Sequence, residues 1–192
     1  MHSYGSIQFR DIDRPALLRE VEKLASQRQI KFLIGPELDG WTAVYPEPHG
    51  QDGTIAAALA EALNASALHL LVHNEAFLAY NYYRGAELMH GYNTHPDYFD
   101  GNPWPPIRPR EHGKVISLQQ LVGPNVKLPH LLVTLSRLSR EYRERPVKAE
   151  HLAEIAQSLG IQNAATSYAR LMAGDWETIV GREQFDHVPM SG

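Results

Sequence analysis

Residues 68–92 read LHLLVHNEAFLAYNYYRGAELMHGY and decide the fold. Short polar turns separate three runs that are rich in apolar and aromatic side chains, namely Leu68–His73, Phe77–Arg84 and Leu88–Tyr92. Runs of this length between turn residues are typical of β-strands. The stretch therefore predicts three consecutive strands, with Tyr80 and Tyr82 on one face of the sheet and Tyr83 on the other.

The preceding residues predict two helices and three further strands. Asp13 is a favourable N-cap, Pro15 fits the first turn of a helix, and apolar residues recur at helical spacing to about Gln27. A second, alanine-rich helix is predicted from Thr54 to Leu63. The strands are Ser6–Arg10, Lys31–Ile34 and Trp41–Tyr45, the last two joined by the hairpin turn Asp39-Gly40.

This element order, β-α-β-β-α-β with an added hairpin, predicts an α+β fold. We expect an antiparallel sheet with two helices on one face, a ferredoxin-like layer with extra strands. Residues 1–100 would form this sheet domain, and residues 101–112 a proline-rich linker. Residues 113–192 would form a helical C-terminal part packed on the sheet domain.

Within the C-terminal part the apolar periodicity, with Pro146 and Gly160 as breaks, predicts three helices. They are expected at about 128–144, 147–159 and 163–173. The tail should return to the body of the molecule through Trp176, Phe185 and Val188.

The composition limits the classes of function. The chain has 192 residues, 43% of them hydrophobic, and a net charge of −4, so nothing in its overall charge favours nucleic acid or an anionic membrane. It has no cysteine, which excludes thiolate catalysis and cysteine-ligated metal sites. The apolar runs are too short to span a bilayer, and no signal peptide is visible at the N-terminus. We therefore expect a soluble cytoplasmic protein without a membrane partner.

The strongest candidate for a binding site is the loop Tyr92–Asp100, which reads YNTHPDYFD. The loop combines polar and aromatic side chains at the end of a strand, where they can line a site. The predicted ligand-binding residues are Tyr92, Asn93, His95, Asp97 and Tyr98. The alternative is that the polar residues order a turn through bonds to the backbone, and that the loop's aromatic rings anchor it in the core.

A metal-dependent enzyme is an alternative function. His90, His95 and Asp97 are two imidazoles and a carboxylate, a set that binds Fe(II), Zn(II) or Mn(II). His69 and His73 do not form such a set, because residues four apart on a strand are about 13–14 Å apart at ~3.4 Å per residue. No nucleotide-binding loop or nucleophile motif is present, so we predict no cofactor, and the sequence identifies no particular catalytic residue.

A DNA-binding regulator is a further alternative. Residues 151–172 resemble a helix-turn-helix segment, with Ala156 at the helix contact, Gly160 in the turn and Ile161 in the core. Against this, Thr166 stands where an aliphatic residue is usual, and Arg170 is the only basic residue of the recognition helix expected at 163–172. Nucleic acid is therefore not the expected ligand; if it binds, it should do so through the C-terminal helices.

Three parts of the chain together resemble a family of bacterial proteins without an established activity. They are Leu71-Val72-His73 with Phe77, the loop Tyr92–Phe99, and Leu159–Ala164 with Ser167-Tyr168. The family's loop is expected to read Tyr-Asn-Ser-x-Pro-Asp-Tyr-Phe, and this chain has Thr94 in place of the serine. The resemblance implies architecture and bacterial origin but no catalytic residue. We therefore predict a non-enzymatic binding or protein-interaction module, whose ligand is a protein or a small molecule.

Overall fold

Seven strands form one antiparallel sheet in a computed structural model of the chain, which describes residues 2–95, 98, 118, 121, 128–141 and 145–190. The strands are β1 Tyr4–Arg10, β2 Phe32–Leu38, β3 Trp41–Pro46, β4 Ser66–His73, β5 Phe77–Arg84, β6 Glu87–Asn93 and β7 Asp186–Val188. Their order across the sheet is β6-β5-β4-β1-β3-β2-β7. The three strands predicted from residues 68–92 are confirmed as β4, β5 and β6.

Five helices accompany the sheet in the described part of the chain. They are α1 Arg14–Arg28, α2 Gly53–Ala62, α3 Leu128–Glu141, α4 Ala149–Ser158 and α5 Tyr168–Met172. The mixed α+β class and the antiparallel sheet are thus confirmed. The specific ferredoxin-like topology is not confirmed, because the sheet has seven strands in the order given above and β7 comes from the C-terminal tail. No described helix is long and apolar enough to cross a membrane.

Local sequence explains where the first elements begin and turn. The Asp13 carboxylate accepts a hydrogen bond from the backbone N–H of Ala16 at 3.2 Å and so caps α1, as predicted. Asp52 caps α2 in the same way through the N–H of Thr54, at 2.8 Å. Asp39 and Gly40 have φ values of 52° and 79°, which matches the twist of a two-residue hairpin between β2 and β3.

The two faces of the sheet are covered by different helices. Side chains of α1 and α2 pack on one face, against a group that includes Ile7, Phe9, Phe32, Ile34 and Val44. Side chains of α3 and α4 pack on the other face, against Leu68, Leu70, Tyr80 and Tyr82. As the strand alternation predicted, Tyr80 and Tyr82 lie in the second group and Tyr83 in the first.

Hydrogen bonds between distant residues fasten the C-terminal part to the sheet. The Tyr92 hydroxyl donates to the Leu135 carbonyl on α3 at 2.8 Å, and the Val147 N–H donates to the Glu75 carbonyl at 2.7 Å. The Tyr45 hydroxyl donates to the Asn163 carbonyl at 2.8 Å. The linker predicted at 101–112 lies outside the described residues.

The prediction for the last helix is wrong about where the helix begins. The helices predicted at 128–144 and 147–159 correspond to α3 and α4, but the one predicted at 163–173 begins only at Tyr168. The residues before it form an irregular segment, with a φ of 56° at Asn163, and the sheet binds their carbonyl groups. The Gly5 N–H donates to the Thr166 carbonyl at 3.2 Å, and the Ser6 hydroxyl to the Ala164 carbonyl at 3.4 Å.

The tail returns to the sheet as predicted. Trp176 and Phe185 pack on the group formed by Leu33 and Tyr45, and Val188 is buried beside β2. Pairing with β2 makes this last segment a strand, β7, which we did not predict from its three residues.

Candidate functional site

The turn between β4 and β5 and the end of β6 lie side by side at one end of the sheet. Thr94 joins them twice: its N–H donates to the Leu78 carbonyl at 2.9 Å, and its hydroxyl oxygen accepts from the Leu78 N–H at 3.0 Å. This pairing places the residues after β6 next to the first residue of β5, Phe77. The loop that the sequence singled out therefore meets the turn that follows His73.

Among the described residues, four aromatic rings are in contact there, and we call them the ring cluster: His73, Phe77, His95 and Tyr98. The His73 and Phe77 rings are stacked with their centroids 5.2 Å apart. Tyr98 makes T-shaped contacts with both histidine rings, with centroids 5.8 Å from His73 and 5.6 Å from His95, and is tilted against Phe77 at 5.2 Å. These are ordinary contact distances between rings, so Tyr98 packs on the other three.

Tyr98 is the most exposed ring of this cluster. It is 36% exposed, whereas Phe77 beneath it is buried. Its backbone N–H donates to the His95 carbonyl at 3.2 Å. The cluster therefore offers a supported aromatic surface.

Asn93 and His95 are brought to this corner by a local turn. The Asn93 side-chain oxygen accepts from the backbone N–H of His95 at 2.8 Å, the bond by which asparagine side chains stabilise turns. Asn93 and Thr94 therefore order the backbone, as the alternative interpretation of the loop predicted. Asp97 lies outside the described residues.

Tyr92 lies away from the ring cluster. Its ring is buried, stacks on Tyr80 with centroids 5.7 Å apart, and reaches α3 through its hydroxyl. Because side chains alternate along β6, Tyr92 and Asn93 point to opposite faces. Tyr92 thus fixes α3 to the sheet, on the side opposite to the ring cluster.

His90 also lies on the face that carries α3. Its Nδ1 is 3.1 Å from the Tyr80 hydroxyl, and the two rings are stacked with centroids 5.6 Å apart. His95, in contrast, contacts Tyr98 on the side of Phe77. The structure therefore does not bring His90 and His95 together. Among the described residues, no three His, Asp or Glu side chains are placed to hold a metal ion.

A polar network that the sequence did not reveal surrounds His73. Its Nδ1 is 3.1 Å from Oε1 of Gln51, in the loop between β3 and α2. Its Nε2 is 3.1 Å from Nδ2 of Asn74, whose Oδ1 accepts from the Ser3 hydroxyl at 3.2 Å. Burial lowers the pKa of His73. Ser3, Gln51 and Asn74 come from three separate segments, and no local pattern could have identified them.

His69 binds the same loop at Gly50, the residue before Gln51. It is fully buried, and its Nε2 lies 2.7 Å from the Gly50 carbonyl. Burial lowers the pKa of His69, while the bond to Gly50 and the carboxylate of Asp52 act in the opposite direction. The two histidines of β4 therefore bind consecutive residues of one loop, consistent with the prediction that they do not share an ion.

The segment predicted as a helix-turn-helix has a different shape. Ala156 and Ile161 are buried and Gly160 has a φ of 73°, as that prediction required. However, α5 has only five residues, and residues 161–167 separate it from the turn. Arg170, the basic residue of the expected recognition helix, pairs with Asp175 and lies 5.0 Å over the Tyr4 ring. This geometry does not favour insertion of α5 into a DNA groove.

The ring cluster has the chemistry of a stacking surface. The exposed Tyr98 ring can pack against a planar group, and its hydroxyl and the neighbouring His95 ring nitrogens can form hydrogen bonds at the rim. Comparisons of the chain with protein-family models, with curated proteins and with solved structures found no match.

Proposed function

We propose that the protein is a non-enzymatic binding module whose ligand stacks on Tyr98. The observation that carries the proposal is the position of Tyr98: an aromatic ring that is 36% exposed yet held by contacts with three other rings. A ring that is already fixed loses little conformational freedom when it binds a ligand. The ligand class is a small molecule or a protein segment that presents an aromatic or other planar group.

The hydrogen bonds of the site support binding rather than catalysis. Both ring nitrogens of His73 lie within bonding distance of side-chain amides, so this imidazole is not directed at a bound molecule. On the opposite face of the sheet, the buried hydroxyl of Tyr92, also predicted as a ligand-binding residue, is used within the fold. The metal-dependent and DNA-binding alternatives have no comparable supporting contact among the described residues.

The test uses the full chain with ¹³C-labelled tyrosine rings and two capped tripeptides, acetyl-Ala-Trp-Ala-amide and acetyl-Ala-Leu-Ala-amide. We expect the tryptophan peptide, but not the leucine peptide, to shift the Tyr98 ring signals in NMR spectra. In the variants, binding is followed through the indole signals of the tryptophan peptide: Tyr98→Ala should abolish it, and Tyr98→Phe should retain it because the ring remains. Equal binding by Tyr98→Ala, or no shift with the tryptophan peptide, would contradict the proposal.

Three broader expectations belong to the same proposal. A bacterial origin is supported by the resemblance of the Tyr92–Phe99 loop, and a soluble cytoplasmic protein by a composition with 21% charged residues and no cysteine. A relation to ferredoxin-like layers is supported by the four central strands, which follow the order β4-β1-β3-β2. In such layers both helices cover one face, as α1 and α2 do here.

A further inference from the structure

His73 connects the ring cluster to the loop between β3 and α2, and its two ring nitrogens face chemically different partners. On one side the partner is the Gln51 side-chain oxygen, and on the other it is the Asn74 side-chain nitrogen. Such an asymmetric environment fixes where an imidazole carries its proton.

The orientation of the Gln51 amide is set by backbone carbonyls. Its Nε2 lies 2.8 Å from the Tyr4 carbonyl, 3.1 Å from that of His49 and 3.4 Å from that of Val72. Only the NH₂ group of the amide can donate to these oxygens, so Oε1 is the atom that faces His73. Nδ1 of His73 must therefore carry a hydrogen and donate it to Oε1.

The orientation of the Asn74 amide is set by Ser3. The Ser3 hydroxyl oxygen accepts from the backbone N–H of Asn74 at 3.0 Å and donates its own hydrogen to Oδ1 of Asn74. Nδ2 of Asn74 therefore points at Nε2 of His73 and donates to its lone pair. A second proton on Nε2 would place two N–H groups face to face.

We propose that His73 is a proton switch for the ring cluster: the neutral ring is locked by Gln51 and Asn74, and protonation of Nε2 breaks the Asn74 contact and releases Tyr98. The switch follows from the bonds described above. Its effect on a ligand rests on the proposed function, because that ligand would bind the ring that His73 supports. Binding at Tyr98 would then be strong at neutral pH and weak in acid.

The surroundings of His73 determine whether acid favours the locked or the released form. Burial lowers the pKa of His73, whereas an exposed histidine titrates near about 6.5. Between those two values the released form takes up more protons than the locked form, so acid favours release. Other titratable groups lie on the segments packed around His73, namely His49, Asp52, Glu75, His95 and Tyr98.

The decisive experiment is an NMR titration of ¹⁵N-histidine-labelled full-length protein without any ligand. Long-range ¹H–¹⁵N correlations should show the Nδ1–H tautomer of His73 at alkaline pH. As the pH falls, the Tyr98 ring signals should change with the same midpoint as His73.

Asn74→Asp is the informative variant, because a carboxylate accepts a hydrogen bond from protonated Nε2. We expect the titration midpoint of His73 to rise by about one pH unit, a tenfold change in proton affinity, and the Tyr98 transition to follow it. Asn64→Asp is the matched control: Asn64 also has a positive φ, 47° against 49° for Asn74, but lies in the exposed turn after α2. It should leave the His73 midpoint unchanged.

Ser3→Ala provides a second variant if Asn74→Asp does not fold. It frees the Asn74 amide to turn its oxygen toward Nε2, so it should also raise the His73 midpoint.

An Nε2–H tautomer at alkaline pH, or unchanged midpoints in the folded variants, would overturn the switch. If His73 titrates as expected but no tryptophan peptide binds, the switch stands and the proposed function fails. If the peptide binds equally well at neutral and acid pH, the binding function stands and its control by His73 fails.

Discussion

Gly5 and Gly50 approach each other backbone to backbone where β1 begins, and neither position has room for a side chain. A Cβ atom on Gly5 would lie 2.2 Å from the Gly50 carbonyl oxygen, and one on Gly50 would lie 2.4 Å from the Gly5 carbonyl oxygen. The same Gly50 carbonyl accepts the hydrogen bond from His69. This close contact therefore positions the loop on which both histidines of β4 depend.

Gly5→Ala should destabilise the protein strongly, because the new methyl group meets backbone atoms that cannot move without breaking the His69 bond. We expect a loss of about 3 kcal/mol in the free energy of unfolding, at the upper end for overpacking. Urea denaturation measures this loss. Gly85→Ala is the control: its Cβ would meet nothing within 4 Å, so only the cost of its positive φ remains, about 1 kcal/mol. Equal losses in the two variants would refute the close contact.

His69 predicts a dependence of stability on pH. In the unfolded chain its pKa is about 6.5, and burial lowers it in the folded protein. Below about pH 6.5 the unfolded chain therefore binds more protons, and the free energy of unfolding decreases as the pH falls. His69→Gln should reduce this decrease, because an amide can still donate to Gly50 but does not titrate. Urea midpoints from about pH 5 to pH 8 test this, and an unchanged slope in His69→Gln would exclude His69 as the source.

At the scale of elements, Thr94 decides whether the end of β6 stays paired with β5. Thr94→Val keeps the shape of the side chain but removes the oxygen that accepts from the buried Leu78 N–H. A loss of about 1–3 kcal/mol in unfolding free energy is expected, together with weaker packing of Tyr98. Thr94→Ser keeps the hydroxyl, so its free energy of unfolding should fall by only about 0.8 kcal/mol, the contribution of one buried methyl group. Thermal unfolding separates the two, and a serine variant as unstable as the valine variant would show that the hydroxyl is not the cause.

The strands and helices that local sequence determines were predictable, and those that depend on distant partners were not. Asp13, Asp39-Gly40 and the runs of residues 68–92 carry their signals locally, and the structure matches them to within a few residues. β7 is a strand only because β2 lies beside it. α5 starts late because residues of the sheet donate hydrogen bonds to the carbonyl groups of Asn163, Ala164 and Thr166.

The same distinction applies to the candidate site. The loop after β6 and the role of Asn93 in its turn could be expected from residue types alone. The contact of Tyr98 with His73 and Phe77, and the network through Gln51 and Asn74, depend on sheet register and loop placement. No spacing in the sequence encodes such long-range neighbours.

At the scale of the whole molecule, the sheet and the C-terminal part share one apolar core. The core group on the α3 and α4 face combines sheet residues such as Leu70 and Tyr80 with Leu135, Leu152 and other helical residues. Trp41 of β3 belongs to the same group. With Trp104 and Trp176 replaced by phenylalanine, Trp41 is the remaining tryptophan, and its fluorescence reports on the sheet side of this core. Neither part can expose its apolar face to water without losing the stabilisation of burial.

Unfolding should therefore be a single cooperative transition, in which tryptophan fluorescence and far-ultraviolet circular dichroism give the same urea midpoint. Leu152→Ala, in the buried face of α4, should lower the free energy of unfolding by about 2–5 kcal/mol and shift both signals together. Leu132→Ala, at a position of α3 that is 39% exposed, should change it by less than about 0.5 kcal/mol. A dichroism transition that moves in Leu152→Ala while the fluorescence transition stays in place would mean that the helical part unfolds on its own. The boundary at residues 101–112 would then divide two independent folding units rather than two layers of one core.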